Sequence, residues 1–579
     1  MTRNDAVADL LAEMADRLAA MDVEYKPRAY RRAAENVREH PEPIERLASE
    51  GTEAVGEIDG VGEAIASKIV EYVETGSIGE LEDLREKLPV EIDALTSVEG
   101  VGPKTVGTLY ETLEIRTLDD LEAAAEAGEI RAVKGFGAKT EQNILEGVEF
   151  ARQAHERQLL GEAVPLGEAA RSYLAAQPTV ESVEVAGSLR RWKPTIGDVD
   201  VLVGSDDGES VVEAFTGWDD AETVIEAGET KASLRVGSVR VDLRVVAPEE
   251  FGAALQYFTG SRDHNVALRN RAIERDLKMN EYGVFDVSEV ENPDAGQRVG
   301  ARIAGETEES MYAALELPLV PPELREGRGE IEAAAAGALP DLLHEGDVCG
   351  DLHTHTDWSD GDNSIAEMIE AAAAFGHDYV AITDHATGPG MVGGVGVDDE
   401  TLREQIEEIR AAADDADIEV FAGVEANIGE DGSISVAEDV LAELDLVVAS
   451  PHAALSGDGT DRLIAAVEHP QVDIIGHPTG RYLNRRPGLN IEYDRVAEAA
   501  ADAGTALEVN ANPRRLDLGG QAVRAALEAG ATITIDTDAH RPASYEYVRY
   551  GVHTARRGWA EVDDVLNTRD ADGTRRFLK

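Results

Sequence analysis

The 579-residue sequence holds one cysteine, Cys349, so no internal disulfide can form and no thiolate cluster can hold zinc. Lysine is nearly as scarce, with ten residues, so most cationic contacts must come from arginine. No stretch approaches the ~18 apolar residues of a membrane span. The opening MTRNDAVADLLAEM also lacks the cationic-then-apolar order of a secretory leader. These absences exclude a disulfide scaffold and a helical membrane protein, and lead to the expectation of a cytoplasmic protein without a membrane partner. Positive charge is heavily outnumbered: 53 Lys+Arg face 116 Asp+Glu, a formal net charge of −63. With 43% hydrophobic residues over this length, several domain cores are expected rather than a disordered chain.

An acidic surface of this kind repels itself in dilute buffer and is tolerable where concentrated salt screens it over a few ångströms. The composition resembles that of extreme halophiles. It also means that any claim of nucleic-acid binding must rest on local features, and these are present. Residues 5–21 place Val7, Leu10, Leu11, Met14, Leu18 and Met21 at helical spacing. KPRAYRRAAENVR (26–38) then sets Lys26, Arg28, Arg31, Arg32 and Arg38 against the single acid Glu35, with Tyr30 among the arginines. Three segments repeat one theme: IDGVGEAIASKI, VEGVGPKTVGTL and VKGFGAKTEQNI. Each carries two glycines two apart (Gly60 and Gly62, Gly100 and Gly102, Gly135 and Gly137) before a helical pattern. Such a turn permits close approach of a foreign backbone, and the helix N-terminus behind it suits a phosphate. The three segments resemble helix-hairpin-helix elements, which grip the DNA backbone without reading sequence.

From about residue 182 the pattern turns to strands. In GDVDVLV, Asp198 and Asp200 stand at i and i+2, on one face of a strand, and Asp242 lies in the alternating strand SVRVDLRVV. Carboxylates converging from adjacent strands repel one another unless divalent cations lie between them, which is the two-metal arrangement for in-line phosphoryl transfer. GSLRR (187–191) offers a tight turn, a hydroxyl and two guanidiniums, suited to a triphosphate. Further on, LQYFTGSRDHNVALRNRAIERDLKMNEYGVF brings paired aromatics, a Thr-Gly-Ser turn and the cations Arg262, Arg269, Arg271, Arg275 and Lys278.

GSLRRWKPTIGDVDVLV, VRVDLRVV, YFTGSRDHN and KMNEYG together resemble the family X DNA polymerases, the group of DNA polymerase beta, over residues 5–318. The resemblance implies that Asp198, Asp200 and Asp242 hold two Mg²⁺, with Asp242 best placed to take the primer 3′-hydroxyl proton. Ser188, Arg191 and the Gly197 backbone would hold the incoming triphosphate. Tyr257 and Phe258 would line the sugar pocket, with Gly260 in the same nucleotide site. Asn265 and Arg269 would contact the nascent pair and the template side. Lys68 falls where the family's 5′-deoxyribose-phosphate lyases have their Schiff-base lysine, and Lys26 and Tyr30 match the 5′-phosphate pocket. Ala64 departs from the pattern, standing where a phosphate-binding lysine is found.

After a Pro-rich connection and a helix, the rhythm becomes strand, loop, helix. Seven candidate strands, beginning DVCGDLH and ending TITIDTDAH, suggest a parallel barrel of seven units. His353 and His355 end the first, His385 the second, Glu425 the third, His452 the fourth, His477 the fifth, and Asp538 and His540 the seventh, while Asp360 follows the first in a loop. All therefore fall on the rim where such barrels carry their sites, and six histidines with three carboxylates there point to a metal cluster. His344, His377, His469 and His553 lie outside this pattern and are read as structural, with Asp357 and Asp384 as neighbours of the cluster. DLHTHTDWSDG, ITDH, AGVEAN, SPH, GHP and DTDAH resemble the polymerase-and-histidinol-phosphatase (PHP) domain. That implies three Mn²⁺ or Zn²⁺ on these nine ligands.

The expected fold is multidomain α+β and α/β. It comprises a lyase-like helical domain over 1–85, a fingers-like region with two further hairpins over 86–155, a nucleotidyltransferase palm over 156–250 and a thumb over 251–318. A linker follows over 319–345, and a distorted (β/α)7 PHP barrel over 346–579. The expected function is a gap-filling repair polymerase joined to a metal-dependent nuclease or phosphatase, with 3′–5′ exonuclease, 3′-phosphatase and abasic-site endonuclease as its end-processing reactions. Its partners would be gapped or nicked DNA, dNTPs and other DNA repair proteins, and the chain a monomer. Two rivals stay open: a small-molecule phosphoesterase with an inactive polymerase-like tether, and a non-catalytic DNA-binding scaffold.

Overall fold

The computed structural model describes the chain apart from residues 1–2, 24–25, 41–43, 59, 97, 99–100, 156 and 389–394, so Gly100 lies outside the described residues. Residues 1–157 with 484–486 form one compact unit, and the remainder a second.

The first unit is helical. The amphipathic stretch at the start forms the helix Arg3–Ala20, which buries Val7, Leu11, Met14 and Leu18. The cationic segment forms the helix Lys26–Glu39, packed against it through Tyr30, Ala33, Ala34 and Val37. A second core, built on Leu95, Val106, Leu109, Leu121, Ile130 and Ile144, follows. The two cores are tied by Arg17, whose guanidinium donates to Leu88 O at 2.5 Å and Val90 O at 3.2 Å while Glu13 neutralises it. Gly107 fits closely here: a Cβ would lie 2.0 Å from Ala20 O.

In the second unit, five strands form the palm: β1 Ser182–Val185, β2 Val199–Gly204, β3 Thr223–Ala227, β4 Lys231–Val236 and β5 Val239–Val246, in the order β1-β2-β5-β4-β3. Only β2 and β5 are parallel, and their register sets Asp200 opposite Asp242. The alternation legible in VRVDLRVV is realised: Val239, Val241, Leu243 and Val245 enter the core, which leaves Arg240, Asp242 and Arg244 on the other face. The thumb follows with the antiparallel strands β6 Leu277–Asn280, β7 Gly283–Asp286 and β8 Ala301–Ala304.

The C-terminal sheet has seven parallel strands in sequential order: β9 Gly350–Asp351, β10 Tyr379–Ile382, β11 Glu419–Asn427, β12 Leu446–Ser450, β13 Ile474–Ile475, β14 Ala506–Asn510 and β15 Ile533–Asp536. Their interior residues are buried on both faces, as expected of a parallel sheet sheathed by helices. No ladder joins β15 to β9. Asn567 fills that seam, donating to Gly350 O at 2.9 Å and Ile535 O at 2.6 Å, and Leu352 N donates across it to Asp536 Oδ1 at 2.9 Å. The expected seven-unit barrel is therefore present, nearly closed, with its last gap bridged by side chains and by an isolated backbone bridge between Thr354 and Ala539.

The segment read as a connection, 319–345, is packed along its length. Leu324, Ile331 and Ala334 enter the thumb core, and Arg325 is fully buried against Glu308. Glu323 bonds His553 at 2.7 Å and Arg556 at 2.8 Å on the helix Val548–Arg557 of the barrel. Trp192 stacks on His553 with ring centroids 3.6 Å apart, and Leu516 and Tyr550 of the barrel complete the palm core. No described helix is long and apolar enough to cross a membrane.

Candidate metal centres and hairpin interface

The hairpin turns share one geometry. Val61, Val101 and Phe136 each donate to the carbonyl three residues back, at 3.0, 2.9 and 3.1 Å. Gly60 and Gly135 sit at φ +70° and +100°, a backbone region that L side chains rarely adopt. Helices then start behind Gly62, Gly102 and Gly137, and their first N–H groups have no acceptor within the helix. A Cβ at Gly62, Gly102, Gly135 or Gly137 would meet nothing within 4 Å, so these positions are open, whereas at Gly60 it would meet the Arg32 side chain at 2.8 Å.

Beside the first hairpin, Lys68 pairs with Glu80 at 3.0 Å and donates to Ala64 O at 3.1 Å, while Lys26 lies 3.7 Å from the same glutamate. Burial works against the charge on Lys68, but Glu80 and Tyr30 outweigh it and raise its pKa above the usual lysine value. The structure thus gathers Lys26, Tyr30 and Lys68 around Glu80, with Lys68 held as the ammonium.

In the palm, ligand oxygens of Asp198, Asp200 and Asp242 lie within 4.8 Å of one another. Burial, then the charges of Asp198 and Asp242, lifts Asp200 to about 7. A site that so disfavours its own anions fits a divalent cation. Gly187, at φ +62°, is the contact partner: a Cβ there would meet Asp200 Oδ2 at 2.1 Å. A cavity of about 250 Å³ opens beside Asp200 and Asp242, bordered by Lys231, Arg244 and Phe258. Two arginines that sequence reasoning missed shape it. Arg240 Nε donates to Asp242 Oδ1 at 2.7 Å, and Arg244 stacks 4.3 Å over the Phe258 ring. Both are two residues from Asp242 on one strand, which was the available signal.

Ser188 is on the short helix Gly187–Arg190, and Gly197 is exposed just before β2. Arg191 is engaged inside the protein, with Nε 3.0 Å from Glu326 and a terminal nitrogen donating to Thr259 O at 2.6 Å. Tyr257 and Phe258 meet edge to face at 5.1 Å. Asn265 donates to Tyr257 O at 2.7 Å and to Gly260 O at 3.3 Å, fixing that turn, and Arg269 is exposed on the same helix, Arg262–Ile273.

On the barrel rim all nine expected side chains converge, with Glu425 at the centre. It lies 2.5 Å from His385 Nδ1, 3.0 Å from His477 Nε2, 3.2 Å from His452 Nε2, 3.5 Å from His353 Nε2 and 3.7 Å from His355 Nε2. Asp538 lies 3.2 Å from His355 Nε2, and Asp360 lies 3.3 Å from His540 Nε2 and 3.5 Å from His385 Nε2. Buried ring nitrogens of His353, His355, His385, His452 and His477 and both Glu425 oxygens lack any hydrogen-bond partner. So many orphaned donors and acceptors facing one point fit a cluster of divalent ions.

Outer partners orient the rings. His353 Nδ1 is bonded to Glu508 at 2.6 Å, His452 Nδ1 to Asn427 Oδ1 at 2.8 Å and His540 Nδ1 to Asp538 O at 2.8 Å, leaving each Nε2 for the cluster. Burial opposes charge on His385 and His540, yet the surrounding carboxylates outweigh it and lift them to about 10 and about 9. Glu508 was missed in the sequence, although an acid inside the apolar run ALEVN was the signal. Asp384 accepts from Thr356, Ser359 and Gln405, bracing the rim loop, and His377 and His553 lie away from the cluster.

Family models match this chain in four places. Residues 2–78 match a helix-hairpin-helix domain, 92–149 a SAM-like helix-hairpin-helix tandem, 254–326 the DNA polymerase beta thumb and 351–512 the PHP domain. The chain is 35% identical over 565 residues to the DNA polymerase/3′-5′ exonuclease PolX of Bacillus subtilis (strain 168), covering 96% of each. It is 28% identical over 290 residues to DNA polymerase lambda of Rattus norvegicus, 46% of this chain and 48% of that one. To a probable phosphatase of Caldanaerobacter subterraneus it is 37% identical over 172 residues, 28% of this chain and 61% of that one.

Proposed function

The chain belongs to the family X DNA polymerases that carry a PHP domain, and from that premise we propose that it fills short DNA gaps with the palm and processes 3′ ends with the barrel. The observation that carries this reading is the convergence, in one chain, of two clusters of side chains able to hold metal ions. Both activities depend on divalent metal, taken here as two Mg²⁺ in the palm and three Mn²⁺ or Zn²⁺ in the barrel. Bound there, the ions would polarise the phosphate under attack and offset its charge.

In the palm, Asp242 accepts the 3′-hydroxyl proton, while Ser188, Arg191 and the Gly197 backbone hold the triphosphate. Arg191 reaches it by exchanging the Glu326 carboxylate for phosphate oxygens, an exchange between two charge-assisted partners. Tyr257, Phe258 and Gly260 form the sugar pocket, with Asn265 and Arg269 on the base-pair side. The hairpin turns take backbone phosphates of gapped or nicked DNA. The domain limits read from the sequence belong to this proposal, except that residues 319–345 pack into the thumb core instead of forming a linker; a monomeric state and a cytoplasmic location belong to it as well. Extension of a primer across a gap by the wild-type protein, and its loss in Asp198→Ala, tests the reading against a small-molecule phosphoesterase and against a scaffold.

The lyase assignment predicts a borohydride-trapped adduct between Lys68 and a 5′-deoxyribose-phosphate end. Only the neutral amine attacks, and the raised pKa of Lys68 keeps that form rare at neutral pH. Trapping is therefore expected to rise with pH, to rise at neutral pH in Glu80→Gln, and to vanish in Lys68→Ala. Equal trapping by Lys68→Ala and wild type would assign the chemistry elsewhere.

The charge of −63 predicts that folding and gap filling have optima in molar KCl. DNA affinity there should fall less steeply with salt than that of a cationic polymerase of similar footprint, given that log affinity drops by ~0.9 per neutralised phosphate per log unit of salt. Circular dichroism and gapped-DNA affinity titrated together from low to molar salt give the test. Full folding and maximal activity in dilute buffer, both declining as salt rises, would remove the halophile reading.

A further inference from the structure

One guanidinium enters the barrel rim beside the ligand cluster. Arg515 lies on the loop after β14, with Nε 3.4 Å from Asp538 Oδ2. That carboxylate oxygen is already bonded to Asn510 Nδ2 at 3.2 Å, and Asp538 Oδ1 faces His355, so Asp538 does not need the arginine. Among the described residues Asp538 is the one ion-pair partner of the guanidinium, whose side chain is 16% exposed. That contact engages Nε, so the terminal nitrogens of the fork stay available to a further acceptor.

The arginine is also held in place. Arg481 donates to the carbonyls of Arg515, at 2.8 Å, and of Leu516, and Arg515 N donates to Asn512 O at 2.8 Å. The Tyr482 ring lies 5.1 Å from the guanidinium carbon. On either side, the loop is fastened to the palm. Leu516 is 1% exposed within the palm core, and Pro513 packs on Gly161 so closely that a Cβ there would come within 2.6 Å. A planar fork of donors, fixed beside a carboxylate of the candidate ligand cluster, matches the paired non-bridging oxygens of a phosphate ester.

We propose that Arg515 is a ligand for the substrate phosphate in the barrel centre, clamping the phosphate ester at a DNA 3′ end, and that the palm holds it in position. This rests on the reading of the barrel as a phosphoesterase, and the test separates the two. Thymidine 3′-monophosphate serves as a minimal 3′-phosphate end, titrated calorimetrically into the manganese-loaded full chain. Bound metal is counted by elemental analysis, and KM and kcat for trimming single-stranded DNA are measured in parallel.

Arg515→Ala is expected to keep the wild-type metal content and to weaken nucleotide affinity about tenfold to a hundredfold, the range of a lost charge-assisted contact, with KM rising in step. Arg515→Lys should recover part of the affinity, since it returns the charge without the fork. If the alanine variant does not fold by circular dichroism, Arg515→Gln replaces it with the same expectations. Unchanged affinity overturns the proposal. So does loss of metal together with affinity, which would make Arg515 a brace for Asp538. If wild type binds the mononucleotide through Arg515 but does not trim DNA, the clamp stands and the nuclease reading fails. If wild type trims DNA and the variant binds equally well, the nuclease reading stands and the clamp fails.

Discussion

Asp198→Ala and Asp242→Ala are each expected to abolish nucleotide addition, by at least about a thousandfold, roughly 4 kcal/mol of transition-state stabilisation. Both carboxylates serve a site whose third member, Asp200, is lifted to about 7 by burial and by their charge. Removing one relieves that repulsion but leaves too few oxygens to position a cation against a phosphate. The fold should survive, because each variant deletes an acid outside the apolar palm core. Trimming of 3′ ends by the same preparations should remain at the wild-type level. Primer extension within about threefold of wild type in either variant would remove the palm assignment.

The second large effect is in the barrel. His353→Ala combined with His355→Ala should eliminate manganese-stimulated 3′ trimming, again by about a thousandfold or more, and leave extension largely intact. The two rings approach both Glu425 and Asp538, so their loss removes neutral donors from the middle of the cluster and leaves those carboxylates facing each other without them. Such a change also lowers metal content, which elemental analysis reads independently of activity. Unchanged trimming by a carefully purified double variant would place the nuclease elsewhere or in a contaminant.

Much of both centres was legible because their chemistry is written at short range. Asp198 and Asp200 share a strand face by their spacing alone, and VRVDLRVV announces its buried and exposed sides. Eight of the nine candidate barrel ligands could be placed because they end apolar runs, and Asp360 because it follows the first run in a loop. What escaped the sequence depends on residues far apart in the chain. Asn567 closes the barrel seam against Gly350 and Ile535, a role no local pattern encodes. Strands read as seven residues, such as DVCGDLH, shorten to Gly350–Asp351 because side chains replace ladder bonds there. The palm and barrel read as separate parts, yet Leu516 and Tyr550 bury themselves in the palm core and Arg557 donates to Arg191 O. Arg191 illustrates the same limit: its basic motif was plain, but its pairing with Glu326, 135 residues away, was not.

The most direct measurement follows one 5′-labelled primer in a short DNA gap, with manganese, with and without dNTPs, across wild type, Asp200→Ala and His385→Ala. Wild type should lengthen the primer when dNTPs are present and shorten it when they are absent. Asp200→Ala should only shorten it, and His385→Ala should only lengthen it. Loss of both activities in either variant, or of neither, would contradict two independent centres in one chain.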